Sequence, residues 1–224
     1  MLNSSPEALA SAIDKVALQI GLELQAAQAE ALGRFVELLQ RWNATYNLTA
    51  VRDPAQMLTQ HLADCLAVVP SLRRQLEGRA AARVLDVGSG GGLPGAVLAI
   101  VQPSWAVTCV DTVGKKAAFV RQVAMELRLP NLTAEHARVE RLAAVPPFDV
   151  ITSRAFASLV DFTALTRHAL APGGIWMAMK GKPPQAEIDA LPADVSVERI
   201  EPLLVPGLDA ERCLVWLRPA GAAA

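Results

Sequence analysis

Hydrophobic positions recur with two different periods along this 224-residue chain. In the first third the period is helical. Ser5-Pro6-Glu7 supplies a cap residue, a first-turn proline and an acid at the positive end of a helix dipole. Leu9, Ile13, Val16 and Ile20 follow three or four residues apart. A second helix is predicted from about Gln25 to Asn43, with Leu32, Phe35, Leu39 and Trp42 on one face. The stretch from Trp42 to Ala50 breaks the period and mixes aromatics with amides and hydroxyls. Such a mixture suits a nucleic-acid groove, and equally a loop that pins helices through side-chain hydrogen bonds. Asp53-Pro54 opens a third helix by the same capping logic. Its apolar face holds Met57, Leu58, His61, Leu62, Cys65 and Leu66, so His61 and Cys65 read as packed rather than reactive.

From Ser71 to Ala82 the chain is short of pattern and basic, which marks a junction. Beyond it, short apolar runs alternate with amphipathic ones. Val84–Val87 reads as a strand, Ala96–Val101 as a helix, and Trp105–Asp111 as a second strand that Pro103 keeps apart from that helix. Lys115–Leu129 is an amphipathic helix with Phe119, Val123 and Leu127 inward. Leu132–His136 and Phe148–Thr152 are strands, Leu159–Leu170 a helix, and Pro172-Gly173-Gly174 a turn into a fifth strand, Ile175–Met179. Val195–Leu204 and Arg212–Leu217 form a closing strand pair. The alternation predicts an α/β fold with a doubly wound, mostly parallel seven-stranded sheet and an N-terminal helical extension. The expected division is a helical region over 1–75 and an α/β core over 76–224. Ligands in such sheets bind at the carboxyl ends of the strands.

Composition narrows the class. Hydrophobic residues make up 52% of the chain and charged residues 19%, enough for a sizeable core and against disorder. The three cysteines, Cys65, Cys109 and Cys213, are scattered without C-x-x-C spacing, and His61, His136 and His168 lack ligand spacing. Neither a disulfide framework nor a metal site is expected. Early acids at Glu7 and Asp14 are unlike a signal peptide, and no apolar run approaches the roughly 20 residues of a membrane span. A cytoplasmic protein with reduced thiols follows. The net charge of −1 hides a segregation. Residues 34–182 hold 17 Lys or Arg against 11 acids, a surplus of six, while both flanks are acidic. That middle segment either presents a basic face to a polyanion or carries ordinary solvated charge.

The chemistry centres on the run from Val84 to Gly95, VLDVGSGGGLPG. An apolar strand ends in an acid, glycines form a turn, and Pro94 opens a helix. A ligand can lie directly against such a backbone. Gly90, Gly92 and Gly95 satisfy the dinucleotide pattern G-x-G-x-x-G. Asp86, Gly88, Gly90 and Gly92 satisfy the acid–glycine pattern of enzymes that use S-adenosylmethionine. Asp111, closing the next strand, suits the ribose hydroxyls that both ligands carry. Asp86 favours S-adenosylmethionine, because a carboxylate suits an ammonium and a sulfonium and sits awkwardly beside a pyrophosphate.

The fourth strand leads into Ser153-Arg154-Ala155-Phe156-Ala157-Ser158. No Asn/Asp-Pro-Pro-aromatic motif stands there, as exocyclic amine methylation would want, and no cysteine is placed for attack on a pyrimidine carbon. The acceptor is then an atom already nucleophilic, such as a ring nitrogen with a free lone pair, and no general base is needed. Arg154 is the candidate at the transfer point, for a carboxylate, a phosphate or a guanine O6 edge.

The ordered set of motifs resembles the bacterial small-subunit ribosomal RNA guanine-N7 methyltransferase G family, also called glucose-inhibited division protein B. The resemblance rests on Trp42-Asn43 through Asn47-Leu48-Thr49, His61-Leu62-Ala63-Asp64, Asp86 to Gly95 and Gly114-Lys115-Lys116. It continues through Arg138-Val139-Glu140, Ser153 to Ala157, Lys180-Gly181, Pro206 to Asp209 and Glu211-Arg212. It implies a class I, Rossmann-like fold and methyl transfer from S-adenosylmethionine to guanine N7 in the decoding region, the 530 loop, of 16S rRNA. It also implies cofactor contacts at Gly88 and Leu93, adenine held at Val139 and Glu140, and Arg154 closing the site, with Asp111 on the ribose. Cys65 and Gly91 depart from the family pattern. The partner implied is 16S rRNA or a precursor of the small subunit, with no metal, no membrane and a monomeric protein. The rival readings are a small-molecule methyltransferase, a nicotinamide oxidoreductase and a non-catalytic ribosome-assembly factor.

Overall fold

The computed structural model describes residues 6–143, 145–154, 156 and 158–221. The Ser5 cap, Ala155, Ala157 and the last three alanines of the tail lie outside the described residues. Helices α1 (Pro6–Gln19) and α2 (Ala26–Tyr46) open the chain. α2 begins with a capping box in which Gln25 and Gln28 exchange side-chain and backbone bonds, and it ends at Asn47 in a left-handed cap. The helix thus runs three residues past its expected end at Asn43. The Trp42–Ala50 stretch acts as the pinning loop of the two alternatives. Asn43 Nδ2 donates to the Val51 carbonyl at 3.0 Å and Asn43 Oδ1 accepts from the Thr49 amide at 2.8 Å.

The expected third helix is divided. Asp53 caps it, Oδ1 accepting from the Gln56 amide at 3.0 Å. It then passes through α3 (Pro54–Met57), a π-helical turn (Leu58–Ala63), α4 (Asp64–Ala67) and α5 (Val69–Gln75). The helical run therefore extends into the expected junction and leaves only residues 76–81 as the link.

The sheet contains β1 (Ala82–Val87), β2 (Trp105–Asp111), β3 (Leu132–His136), β4 (Phe148–Ser153), β5 (Leu170–Lys180), β6 (Val195–Pro202) and β7 (Cys213–Pro219). Their order is β3-β2-β1-β4-β5-β7-β6, with β7 antiparallel to both neighbours. Helices α6 (Gly95–Val101), α7 (Gly114–Glu126), α8 (Leu159–Thr166) and α9 (Gln185–Asp189) complete the fold. The strand order reverses between β1 and β4, which opens a crevice at their carboxyl ends. One boundary differs from expectation. Pro172-Gly173-Gly174 does not precede the fifth strand but lies within it, where the register to β4 shifts between Phe148 and Val150. Gly173 takes φ +71° in this bulge, a conformation that most side chains disfavour.

The helical extension shares its core with the sheet. Ile13, Leu32, Phe35 and Leu39 belong to one buried cluster with Val84, Val107, Phe119 and Trp216. Phe119 of α7 meets Phe35 at 6.3 Å and Trp42 at 5.5 Å between ring centroids. The other face of the sheet is covered by Leu159 and Phe162 of α8 against Leu85, Ile151, Trp176 and Val215.

Beneath α6 the packing is closest at Gly95. A Cβ there would run into the Cys109 thiol and lie 2.9 Å from Asp86 Oδ2. Gly95→Ala is accordingly expected to lower stability by about 1–3 kcal/mol, the range for overpacking. Urea denaturation measures it, and adding Cys109→Ala should restore part of the loss.

Candidate functional site

The turn after β1 is stitched to the end of β2. The amides of Gly88 and Ser89 both donate to the Val110 carbonyl, at 2.9 and 3.3 Å. Asp111 grips the turn from the other side. Its Oδ2 accepts from the Gly90 amide at 2.9 Å and its Oδ1 from the Val113 amide at 2.8 Å. The turn needs φ +66° at Gly88 and +56° at Gly90. A Cβ on Gly88 would meet nothing within 4 Å, so its backbone faces open space.

That space is a cleft of about 490 Å³ at the crevice. Gly88, Asp111, Val139 and Glu140 all line it, the last two from a 3₁₀ turn (Val139–Arg141) after β3. Four of the six expected site residues therefore meet in one cavity. Leu93 does not line it, since its side chain is buried in the main core. Arg154 lines a separate cavity. Phe156 and Lys116, named from sequence as motif residues but not as cofactor contacts, join the first cleft, Lys116 Nζ standing 4.0 Å from Asp111 Oδ2.

Asp86 corrects an expectation. Its carboxylate was expected to face the ligand, yet it has no exposed surface and points beneath α6, where Oδ2 accepts from the Gly95 amide at 2.8 Å. The acid anchors the helix start instead. Pro94 takes the cap position of that helix rather than its first turn. Burial raises the Asp86 pKa to about 7, against the pull of the Gly95 amide and Arg154. Asp86 Oδ1, Thr152 Oγ1 and Ser153 Oγ are buried without a hydrogen-bond partner among the described residues. All three lie at the carboxyl ends of β1 and β4, beside the crevice.

The second cavity, about 380 Å³, opens at the ends of β4 and β5. Arg154 meets three groups of the N-terminal helices there, all through Nη1: His61 Nδ1 at 3.2 Å, the Gln60 carbonyl at 3.5 Å and Asp64 Oδ2 at 3.7 Å. Asp64 Oδ1 accepts from Arg212 Nε at 3.0 Å. Burial pushes the Asp64 pKa up, with the Arg154 and Arg212 guanidiniums opposing the rise. Burial, then Arg154, lowers the His61 pKa to about 4, so the ring is neutral at pH 7. His61 Nδ1 stands 3.2 Å from Arg154 Nη1 and 3.1 Å from the Gln60 carbonyl, and Nε2 stands 2.6 Å from Thr49 Oγ1. His61 is packed, as its helical spacing implied, yet it also borders this cavity. The signal for the cavity lay in the motifs. His61 to Asp64, Arg154, Lys180-Gly181 and Arg212 are distant in sequence and converge here.

A family model described as rRNA small subunit methyltransferase G matches residues 28–215. The chain belongs to this methyltransferase family. It is 62% identical over 204 residues to a ribosomal RNA small subunit methyltransferase G of Leptothrix cholodnii, covering 91% of this chain and 93% of that one. It is 59% identical over 222 residues to the protein of that name from Acidovorax ebreus, covering 96% and 97%. Among solved structures it resembles the N-methyltransferase NodS of Bradyrhizobium japonicum in complex with S-adenosyl-L-homocysteine. The TM-score is 0.54 at 14% identity, covering 81% of this chain and 99% of that one, a likeness of fold. Methyltransferase G relatives thus match nearly the whole chain, the helical extension included. Among the described residues no three His, Cys, Asp or Glu side chains gather as metal ligands would, and no helix is long and apolar enough to cross a membrane.

The buried Asp86 makes stability depend on pH. The unfolded carboxyl releases its proton near pH 4 and the folded one near pH 7. The folded state holds the extra proton between these values, so this group's contribution is full at low pH and is lost as pH rises from about 4 to 7. Asp86→Asn abolishes that titration. The stability of the variant relative to the parent should rise by about 2–4 kcal/mol across that window and level off above it. Denaturation at a series of pH values measures the difference, and a flat difference would place the carboxyl back in the ordinary range.

Proposed function

We propose that this methyltransferase transfers the methyl group of S-adenosylmethionine to N7 of a guanine in the 530 loop of 16S rRNA, as a cytoplasmic monomer. The observation that carries the reading is the cleft at the strand crossover, where the open backbone of Gly88 faces the acids Asp111 and Glu140. The cofactor fits the donors and acceptors present. Asp111 spends one acceptor site per oxygen on backbone amides, and a carboxylate offers about four, which leaves capacity for a ribose diol. Val139 and Glu140 would hold the adenine, and the backbone of the turn from Gly88 to Leu93 the amino-acid end. When bound, S-adenosylmethionine supplies an electrophilic methyl group on a sulfonium.

The rest of the chemistry falls to alignment. Guanine N7 has an in-plane lone pair and no proton, so no base is required. The side chains agree. His61, the titratable group nearest Arg154 among the described residues, has both ring nitrogens engaged, Nδ1 beside the Gln60 carbonyl and Arg154 and Nε2 beside Thr49. Arg154, held at the end of β4, positions rather than exchanges protons. Much of the rate then comes from bringing acceptor and methyl group into line. The basic surplus of the middle segment supplies the attraction to RNA.

Three measurements test this reading. Asp111→Asn keeps an acceptor but loses the charge, and should weaken S-adenosylmethionine binding roughly 10- to 100-fold by calorimetry. Unchanged affinity would remove Asp111 from the site. The single-turnover methylation rate on 16S rRNA should stay nearly flat between about pH 6 and 9, because no base has to titrate. A log-linear rise abolished by mutating one side chain would reveal a missed base. Mapping N7-methylguanine in 16S rRNA with and without the protein identifies the target position.

A further inference from the structure

The second cavity holds a built set of groups that the cofactor reading leaves unused. Arg154 makes all its protein contacts through Nη1, so Nε and Nη2 have no protein partner among the described residues. Asp64 Oδ1 is fixed by Arg212, while Oδ2 lies 3.7 Å from Arg154, an ion pair without a close hydrogen bond. A rigid fork of donors and a carboxylate with a spare acceptor thus stand side by side in a cavity of about 380 Å³. Arg154 of this cavity and Phe156 of the cofactor cleft both follow the end of β4, two residues apart.

We propose that this cavity is the subsite for the target guanine base, and that Asp64 is the residue that selects guanine. The inference rests on the guanine-N7 reading above. Along the edge of a guanine the groups run in the order N7, O6, N1–H and N2–H₂. Against that edge the second cavity offers the donors of Arg154 and the acceptor of Asp64 side by side. A guanine in this cavity would turn N7 toward the methyl group, with O6 accepting from Arg154 and N1–H and N2–H₂ donating to Asp64. Adenine presents a donor where guanine has O6 and a lone pair where guanine has N1–H, so both positions oppose it. The Gln60 carbonyl and Asp64 Oδ2 occupy Nη1, which leaves the remaining donors of Arg154 for the cavity.

The test compares 16S rRNA carrying guanosine or inosine at the target position. Inosine keeps N7, O6 and N1–H and lacks only the 2-amino group. The wild-type protein should methylate the guanosine RNA roughly 10- to 100-fold faster in kcat/KM, the weight of one hydrogen bond to a charged acceptor. Asp64→Asn should bring that ratio to within about threefold, with S-adenosylmethionine affinity by calorimetry also within about threefold of wild type. A purely structural role for Asp64 would slow both RNAs alike and leave the ratio untouched, which would overturn the proposal. So would a wild-type protein that methylates both RNAs equally, a result that needs no variant to fold. Asp64→Glu, which keeps the charge beside Arg212, serves if the Asn variant is unstable and should also narrow the ratio. Failure to methylate guanosine RNA at all would instead refute the underlying guanine-N7 reading.

Discussion

The grip of Asp111 on two backbone amides is the constraint on which the crevice depends. One carboxylate, 6% exposed, holds the Gly90 amide of the first turn and the Val113 amide after β2. Hydrogen bonds to an ionised acceptor are among the stronger ones, so the two loops are fixed relative to each other at the crossover of the sheet. With those loops fixed, the open side of Gly88 faces a cavity of definite shape. The 3₁₀ turn at Val139–Arg141 then closes it from the β3 side. Beneath the same turn, Asp86 and the missing side chain of Gly95 let α6 sit directly on the sheet.

The N-terminal helices are part of this architecture rather than an appendage. Their apolar faces complete the core over one side of the sheet. Their polar residues complete the second cavity, since Gln60, His61 and Asp64 come from the segment around the π-helical turn. A π turn widens the helix by one residue, and such turns are frequent at functional sites. Asn43 and Thr49 carry this arrangement back to α2. Asn43 fixes the loop, and the Thr49 hydroxyl holds the far nitrogen of His61.

The strands were legible because each is a short apolar run bounded by breakers. Leu132–His136 agrees at both ends, and β1, β2 and β4 agree within about two residues. Gly88 and Asp111 were legible from the glycine turn and the acid that closes the next strand, because loops after successive parallel strands converge at one edge of the sheet, whereas Val139 and Glu140 came only with the family resemblance. Three features were not legible, for distinct physical reasons. The orientation of Asp86 depends on which face of β1 it occupies, and that is set by α6 packing on it. The bulge in β5 depends on pairing with β4, because Pro172-Gly173-Gly174 by itself is ordinary turn chemistry. The second cavity draws on four segments whose approach is a property of the whole topology, although their separate motifs stood out in the resemblance.

The cavity around Arg154 has a temporal consequence. It joins Asp64 to Arg154 and to Arg212, across 148 positions between the first and last. Arg212 enters only with β7, the strand inserted between β5 and β6 and the last to be synthesised. A nascent chain can therefore have the glycine turn, Asp111 and the sheet's first four strands in place while this cavity still lacks one wall. The wall that Arg212 adds beside Asp64 is thus the last part of this cavity to be synthesised.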